Sequence, residues 1–232
     1  MKFRLSLKHL REAEKYIPLG AQTFSKSKLV YPKNFSPFFI SKAKGSLIWD
    51  IDGNKFIDLV NGLLPVILGY QNIQVDKAIK KQLKKGITFS LSSPLEIKLS
   101  KLLCENIPSA QMVRFAKNGS DATSACIRIA RAHTKKDYII CCGYHGWQDW
   151  YIGTTTRSIG VPKSVKKLSL KVKYNDLDEI KRILKKYKGR IAAMIMEPSN
   201  FENPNKNYFK NLKSILKKNN ILLIFDEICT GF

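Results

Sequence analysis

A chain of 232 residues, 44% of them hydrophobic, is long enough to bury the core of one large domain, alone or with a smaller companion. It carries 41 basic against 18 acidic residues, a formal charge of +23. Lysine dominates the basic set and is spread over most predicted helices, which is not the arginine-and-aromatic pattern of a nucleic-acid reader. No run of about eighteen apolar residues is present to span a membrane, and the opening segment lacks the apolar centre and small-residue cleavage site of a secretory leader. The five cysteines, odd in number and without a Cys-x-x-Cys pair, read as reduced thiols, and the three histidines are too scattered for a zinc site. A cytoplasmic protein with no metal, nucleic-acid or membrane partner is expected.

Residues 2–16 are predicted as an amphipathic helix, stopped by Ile17-Pro18-Leu19-Gly20. Three strand-like segments follow at 38–43, 46–51 and 55–60, separated by Lys44-Gly45 and by Asp52-Gly53-Asn54, the second a strong hairpin signal. Residues 1–61 are therefore expected to form a small segment of helix and antiparallel strands. Residues 62–232 are expected as a larger domain in which helices and strands alternate.

In that larger part, residues 73–85 place Val75, Ala78, Ile79 and Leu83 on one helical side, with Gly86 as the stop. Ser93-Pro94-Leu95-Glu96 reads as a capping box that opens a helix running to about Glu105. A short strand is predicted at 112–116, a helix at 121–133 and a strand at 138–142, with Cys141 and Cys142 facing opposite sides. A helix at 176–188 begins with a second box, Asp176 and Glu179, and ends at Gly189. A strand at 191–196, a helix at 208–218 and a strand at 221–226 complete the series. This alternation predicts a mostly parallel sheet covered by helices.

Three stretches carry chemistry. Asn118-Gly119-Ser120-Asp121 follows a predicted strand and opens a helix, the geometry that holds phosphate. Gly119 admits close backbone approach, Ser120 adds a hydroxyl, and Asp121 serves as cap or first-turn acid; plain helix capping accounts for the same residues. Gly143-Tyr144-His145-Gly146-Trp147 puts aromatics at a strand's carboxyl end, where they either stack on a planar ligand or cover the core. His145 there can stack or hydrogen-bond, and Trp150 extends the aromatic surface. Ile221-Leu222-Leu223-Ile224-Phe225 runs straight into Asp226 and Glu227, as in a strand buried on both faces of a parallel sheet with its carboxylates at the ligand crevice. A buried carboxylate needs a cationic or hydrogen-bonding partner; a protonated ring nitrogen would serve, as would a turn that Asp226 caps.

Taken in order, Asn118-Gly119-Ser120-Asp121-Ala122, Gly143-Tyr144-His145-Gly146 and Ile224-Phe225-Asp226-Glu227 leading to Thr230-Gly231-Phe232 match a known family. The chain resembles class III pyridoxal-phosphate aminotransferases, and within them the glutamate-1-semialdehyde aminomutase-like group. The resemblance covers nearly all of it, with echoes at Trp49-Asp50-Ile51-Asp52-Gly53, Ile67-Leu68-Gly69 and Met196-Glu197-Pro198. It implies an α/β protein of pyridoxal-phosphate fold type I, a mostly parallel sheet flanked by helices with a small N-terminal α+β segment, incomplete at its carboxyl-terminal side. It also implies a homodimer that moves an amino group on a small amino, keto or semialdehyde substrate.

By this resemblance Gly119 and Ser120 hold the cofactor phosphate, Tyr144 stacks on the pyridine ring with His145 beside it, and Asp226 pairs with the ring nitrogen. That pairing keeps the nitrogen protonated, so the ring accepts the electrons released at the substrate carbon. Glu197 is expected as a supporting carboxylate and Glu202 as an acid gating the substrate side. Trp147 stands where aminomutases carry a second histidine, which leaves both glutamate semialdehyde and another amino or keto compound, such as a sugar precursor, open as substrate. In the family the Schiff-base lysine lies beyond the Thr-Gly-Phe segment, so no catalytic residue is expected here. A non-catalytic binding module and a basic nucleic-acid binder are the alternatives.

Overall fold

In the computed structural model, which describes residues 2–199 and 202–231, the chain divides into two units, residues 1–94 and 95–232. The first begins with α1 (Arg4–Tyr16), whose buried face is Ser6 and Leu10. No local side chain caps this helix; Asp52 does so from the hairpin, its Oδ1 accepting from Leu5 N at 2.7 Å and its Oδ2 from Ser6 N at 2.8 Å. Strands β1 (Ile40–Lys44), β2 (Leu47–Asp50) and β3 (Lys55–Ile57) form the expected antiparallel meander. Residues 58–72 are laced onto it. Asp58 accepts from the Tyr70 hydroxyl and from the amides of Val60, Asn61 and Gly62, while Gly45 and Tyr70 exchange two backbone hydrogen bonds. The compact unit therefore runs past residue 61 and takes in α2 (Ile73–Leu83), capped by Asn72.

The second unit contains α3 (Pro94–Asn106), α4 (Gly119–Thr134), β4 (Tyr138–Cys142), α5 (Asp149–Ile152), α6 (Lys163–Lys167), β5 (Ser169–Lys171), α7 (Leu177–Lys186), β6 (Ile191–Met196), α8 (Tyr208–Lys218) and β7 (Leu222–Phe225). Its four strands are all parallel, in the order β5-β4-β6-β7. Side-chain alternation divides the core in two. Ile140, Cys142, Met194 and Met196 pack with Ile180 and Leu184 of α7 and with Leu212 and Leu216 of α8. On the opposite face Ile139, Cys141, Ala193 and Ile195 pack with Ile127 and Ala130 of α4 and with Trp150 and Tyr151 of α5. The adjacent cysteines thus separate as the strand period requires, and burial pushes Cys141 up to about 12 and Cys142 up to about 11, leaving both as protonated core thiols.

Three expectations need correction. Residues 112–116 form no strand: no neighbour offers them a ladder among the described residues, and Met112 is 91% exposed. The run ending in Phe225 is not buried on both faces. It pairs only with β6, at the edge of the sheet, and Phe225 is 42% exposed; β6 is the strand buried throughout. Asp176 caps α7 by accepting from Glu179 N, but the Glu179 carboxylate accepts from Lys173 N instead of completing a capping box. The short α5, α6 and β5 lack a helical or strand period long enough to be read from the sequence. Among the described residues no helix is long and apolar enough to cross a membrane.

Candidate active site

Because β4, β6 and β7 run parallel, their carboxyl ends lie together, and the segments they feed meet the start of α4. A cavity of about 380 Å³ lies there, lined by Asn118, Gly119, Ser120, Tyr144, His145, Gly146, Trp147, Glu197, Asp226, Ile228 and Cys229. The glycine–serine turn, the aromatic pair and the strand-end aspartate, far apart in sequence, share this one cavity.

At one end, Asn118 and not Asp121 is the N-cap of α4; its side-chain oxygen accepts from Asp121 N at 3.0 Å. The amides of Gly119 and Ser120 head the helix outside its internal ladder, with the positive end of its dipole. Gly146, at φ +96°, brings the aromatic loop onto this turn so closely that a Cβ there would overlap the Ser120 hydroxyl. Thr123, buried in the first turns of α4, bridges the two segments: its Oγ1 lies 3.2 Å from both Ser120 O and His145 O.

At the other end, Tyr144 is 64% exposed, its ring edge-on to Tyr151. His145 takes the second of its two options. It is buried behind Asp226, with Nδ1 2.8 Å from Asp226 Oδ2 and Nε2 3.1 Å from Cys142 O. A carbonyl only accepts, so Nε2 is the donor in the contact with Cys142 O. Trp150 lies parallel to the imidazole at 6.2 Å and Tyr151 meets it edge-on at 5.2 Å, so the ring cannot turn away. Asp226 itself is buried. Its other oxygen accepts from Ile228 N at 3.3 Å, a long bond that leaves capacity for a donor in the cavity.

Glu197 lines the cavity, but its carboxylate is committed to the loop: Oε2 accepts from Tyr144 N at 2.9 Å. Trp147 lines the cavity and is 71% exposed. Glu202 is exposed on the loop after β6 and is not among the residues that line this cavity. No lysine lines the cavity among the described residues. Thr123, Tyr151, Ile228 and Cys229 were not singled out from the sequence. Their parts depend on which segments the sheet brings together, and nothing local marks them.

The family described as aminotransferase class-III matches residues 30–232. A glutamate-1-semialdehyde 2,1-aminomutase of Persephonella marina is 36% identical over 249 residues, covering 100% of this chain and 57% of that protein. A 3-aminobutyryl-CoA aminotransferase of Cloacimonas acidaminovorans is 35% identical over 239 residues, with the same coverage of 100% and 57%. Among solved structures, an omega-transaminase from Sphaerobacter thermophilus is similar at a TM-score of 0.87 and 26% identity, over 97% of this chain and 55% of that one. The chain belongs to the class III aminotransferases, a pyridoxal-phosphate-dependent family of enzymes, and has the fold of these transaminases over the part it spans. It spans about half the length of the curated relatives it matches.

Proposed function

We propose that this chain forms the cofactor-holding face of an enzyme that uses pyridoxal phosphate to move an amino group on a small amino, keto or semialdehyde compound. The observation that carries the reading is the single cavity shared by the Gly119–Ser120 turn, the exposed Tyr144 ring and the buried Asp226 carboxylate. These residues fit the cofactor. Gly119 and Gly146 let Ile228 and Ser120 pack where a Cβ would overlap them, which draws the cavity walls together, and Asp226 keeps hydrogen-bonding capacity toward the cavity. The α4 amides and the Ser120 hydroxyl would hold the phosphate, Tyr144 would cover one face of the pyridine, and Asp226 would hold the proton on the ring nitrogen, oriented by His145. When bound, the cofactor supplies an electron sink for the substrate carbon.

An aminomutase and an aminotransferase match at 36% and 35% identity, which supports the reading at the level of amino-group chemistry. Trp147 borders the substrate side. The same reading takes a cytoplasmic homodimer acting on small-molecule amino donors and acceptors; exposed Ile97 and Leu102 on α3 support burial against further polypeptide.

The alternative reading is a non-catalytic module that binds the cofactor without a covalent link. Titration of the purified chain with pyridoxal phosphate tests the first reading. Saturable binding is expected, weakened roughly 10- to 100-fold by Asp226→Asn, since a hydrogen bond to a charged group contributes about 1.5–3 kcal/mol. Absence of binding, or equal binding by the variant, would refute the assignment of Asp226. Borohydride trapping that fixes the cofactor to a lysine of this chain would rule out the non-covalent site.

A further inference from the structure

We propose that Tyr151 and Glu197 are positioning residues that grip one peptide group, the link between Gly143 and Tyr144, and so set the aromatic platform before a ligand arrives. The inference rests on reading the cavity as a pyridoxal-phosphate site. The Tyr151 hydroxyl, from α5, donates to Gly143 O at 2.9 Å. The Glu197 carboxylate, directly after β6, accepts from Tyr144 N at 2.9 Å. Those two atoms belong to the same peptide plane, one on each edge of it. The hydroxyl sits on the carbonyl side and the carboxylate on the amide side, and because the carboxylate only accepts it sets the orientation of the plane.

The clamp has a physical purpose at this place. Gly143 sits at φ +107°, a conformation open to glycine, whose backbone is the least restrained of any residue unless its neighbours hold it. A flip would turn a carbonyl toward the Glu197 carboxylate, setting two acceptors against each other and losing that bond, while the Tyr151 hydroxyl would have to exchange its donor role for an acceptor one. Glycine is also required for closeness, because a Cβ at 143 would overlap the Glu197 carboxylate. The Tyr151 ring braces what the hydroxyl fixes, meeting Tyr144 at 5.6 Å and His145 at 5.2 Å, both edge-on. Burial pushes the Tyr151 phenol up to about 12, so it remains a donor throughout any working pH.

The test uses pyridoxal phosphate and inorganic phosphate as separate probes of the wild-type chain, Tyr151→Phe, Glu197→Gln and Glu197→Ala. Affinities come from quenching of intrinsic fluorescence, and the circular dichroism acquired by the bound pyridine reports its seating. Tyr151→Phe keeps the ring and removes only the hydroxyl. Its affinity for pyridoxal phosphate should fall about 3- to 10-fold with weakened dichroism, the range expected for one neutral hydrogen bond, and that of Glu197→Ala should fall at least as far because the acceptor it removes is a carboxylate. Affinity for inorganic phosphate should not change, because the Gly119–Ser120 turn does not use the clamp. Glu197→Gln still offers an oxygen to Tyr144 N and should lie nearer wild type than Glu197→Ala. If Tyr151→Phe folds poorly in a thermal scan, the two Glu197 variants decide.

Equal losses for both probes would indicate general disruption and overturn the clamp. Unchanged pyridoxal-phosphate affinity and dichroism in the variants would overturn it while leaving the cofactor reading intact. A wild-type chain that does not bind pyridoxal phosphate would overturn that reading, and the clamp with it.

Discussion

Gly146→Ala tests the packing that joins the aromatic loop to the start of α4. Gly146 has φ +96°, where an alanine is strained by about 1–3 kcal/mol. The new Cβ would overlap Ser120 Oγ and lie 3.0 Å from Ser120 Cβ and 3.2 Å from Ser120 Cα. The hydroxyl can swing aside, but the Cβ and the backbone of α4 can move only by shifting the helix start. Overpacking of this kind costs about 1–3 kcal/mol. Together the two terms amount to about 2–6 kcal/mol, a sizeable share of the 5–15 kcal/mol typical of a domain. With a urea slope of about 2 kcal/mol/M, the midpoint should fall by about 1–3 M.

A double-mutant cycle separates the two terms. Ser120→Gly removes the Cβ and Oγ, so the pair Ser120→Gly/Gly146→Ala should lose about 1 kcal/mol or more less than the sum of the single changes. The backbone strain at 146 should persist. Urea unfolding of the four proteins, followed by far-ultraviolet circular dichroism, gives the cycle. Additive losses would refute the steric argument. An unaltered midpoint in Gly146→Ala would refute both terms.

Two further outcomes follow from charged and titrating groups. Burial, and then the charges of Glu197 and Asp226, raise the Cys229 thiol, so its alkylation by iodoacetamide should require higher pH than that of an unperturbed thiol. Because Cys229 lines the cavity, pyridoxal phosphate should slow the reaction; peptide mapping of labelled protein checks both, and a cofactor-independent rate would argue against shared space. For Asp58, burial raises the carboxyl, but the hydrogen bonds from Tyr70, Val60, Gly62 and Asn61 outweigh it and the net shift is downward. A carboxyl lowered in the folded state stabilises fully above its unfolded value and ceases to do so as pH falls through the folded one. Asp58→Asn should therefore cost stability at neutral pH and progressively less in acid; a difference independent of pH, measured by urea midpoints, would contradict the network.

Local signals determined much of the secondary structure. The apolar runs at 138–142 and 191–196 and the amphipathic period at 208–218 became β4, β6 and α8 with the predicted bounds, because period and burial agree within each segment. The glycine–serine turn, the Tyr-His pair and the strand-end aspartate were legible as three candidate ligand contacts, since strand ends and helix starts in an α/β order point their chemistry to one side. The family was legible through those three motifs in sequence order.

Neighbours across the fold decided the remainder. Residues 112–116 have a strand's composition, but a strand exists only where another offers a ladder. The run before Asp226 reads as doubly buried, yet its exposure is set by its place at the sheet edge. His145 could equally have faced a ligand; the carbonyl of Cys142 and the carboxyl of Asp226, 81 residues away in the chain, turned it inward. Tyr151 and Glu197 acquired their shared peptide only when α5 and the end of β6 came together. Periodicity and turn chemistry act over a few residues and can be read from the chain, whereas the partner of a buried polar group is chosen by the strand order that brings distant segments within hydrogen-bond reach.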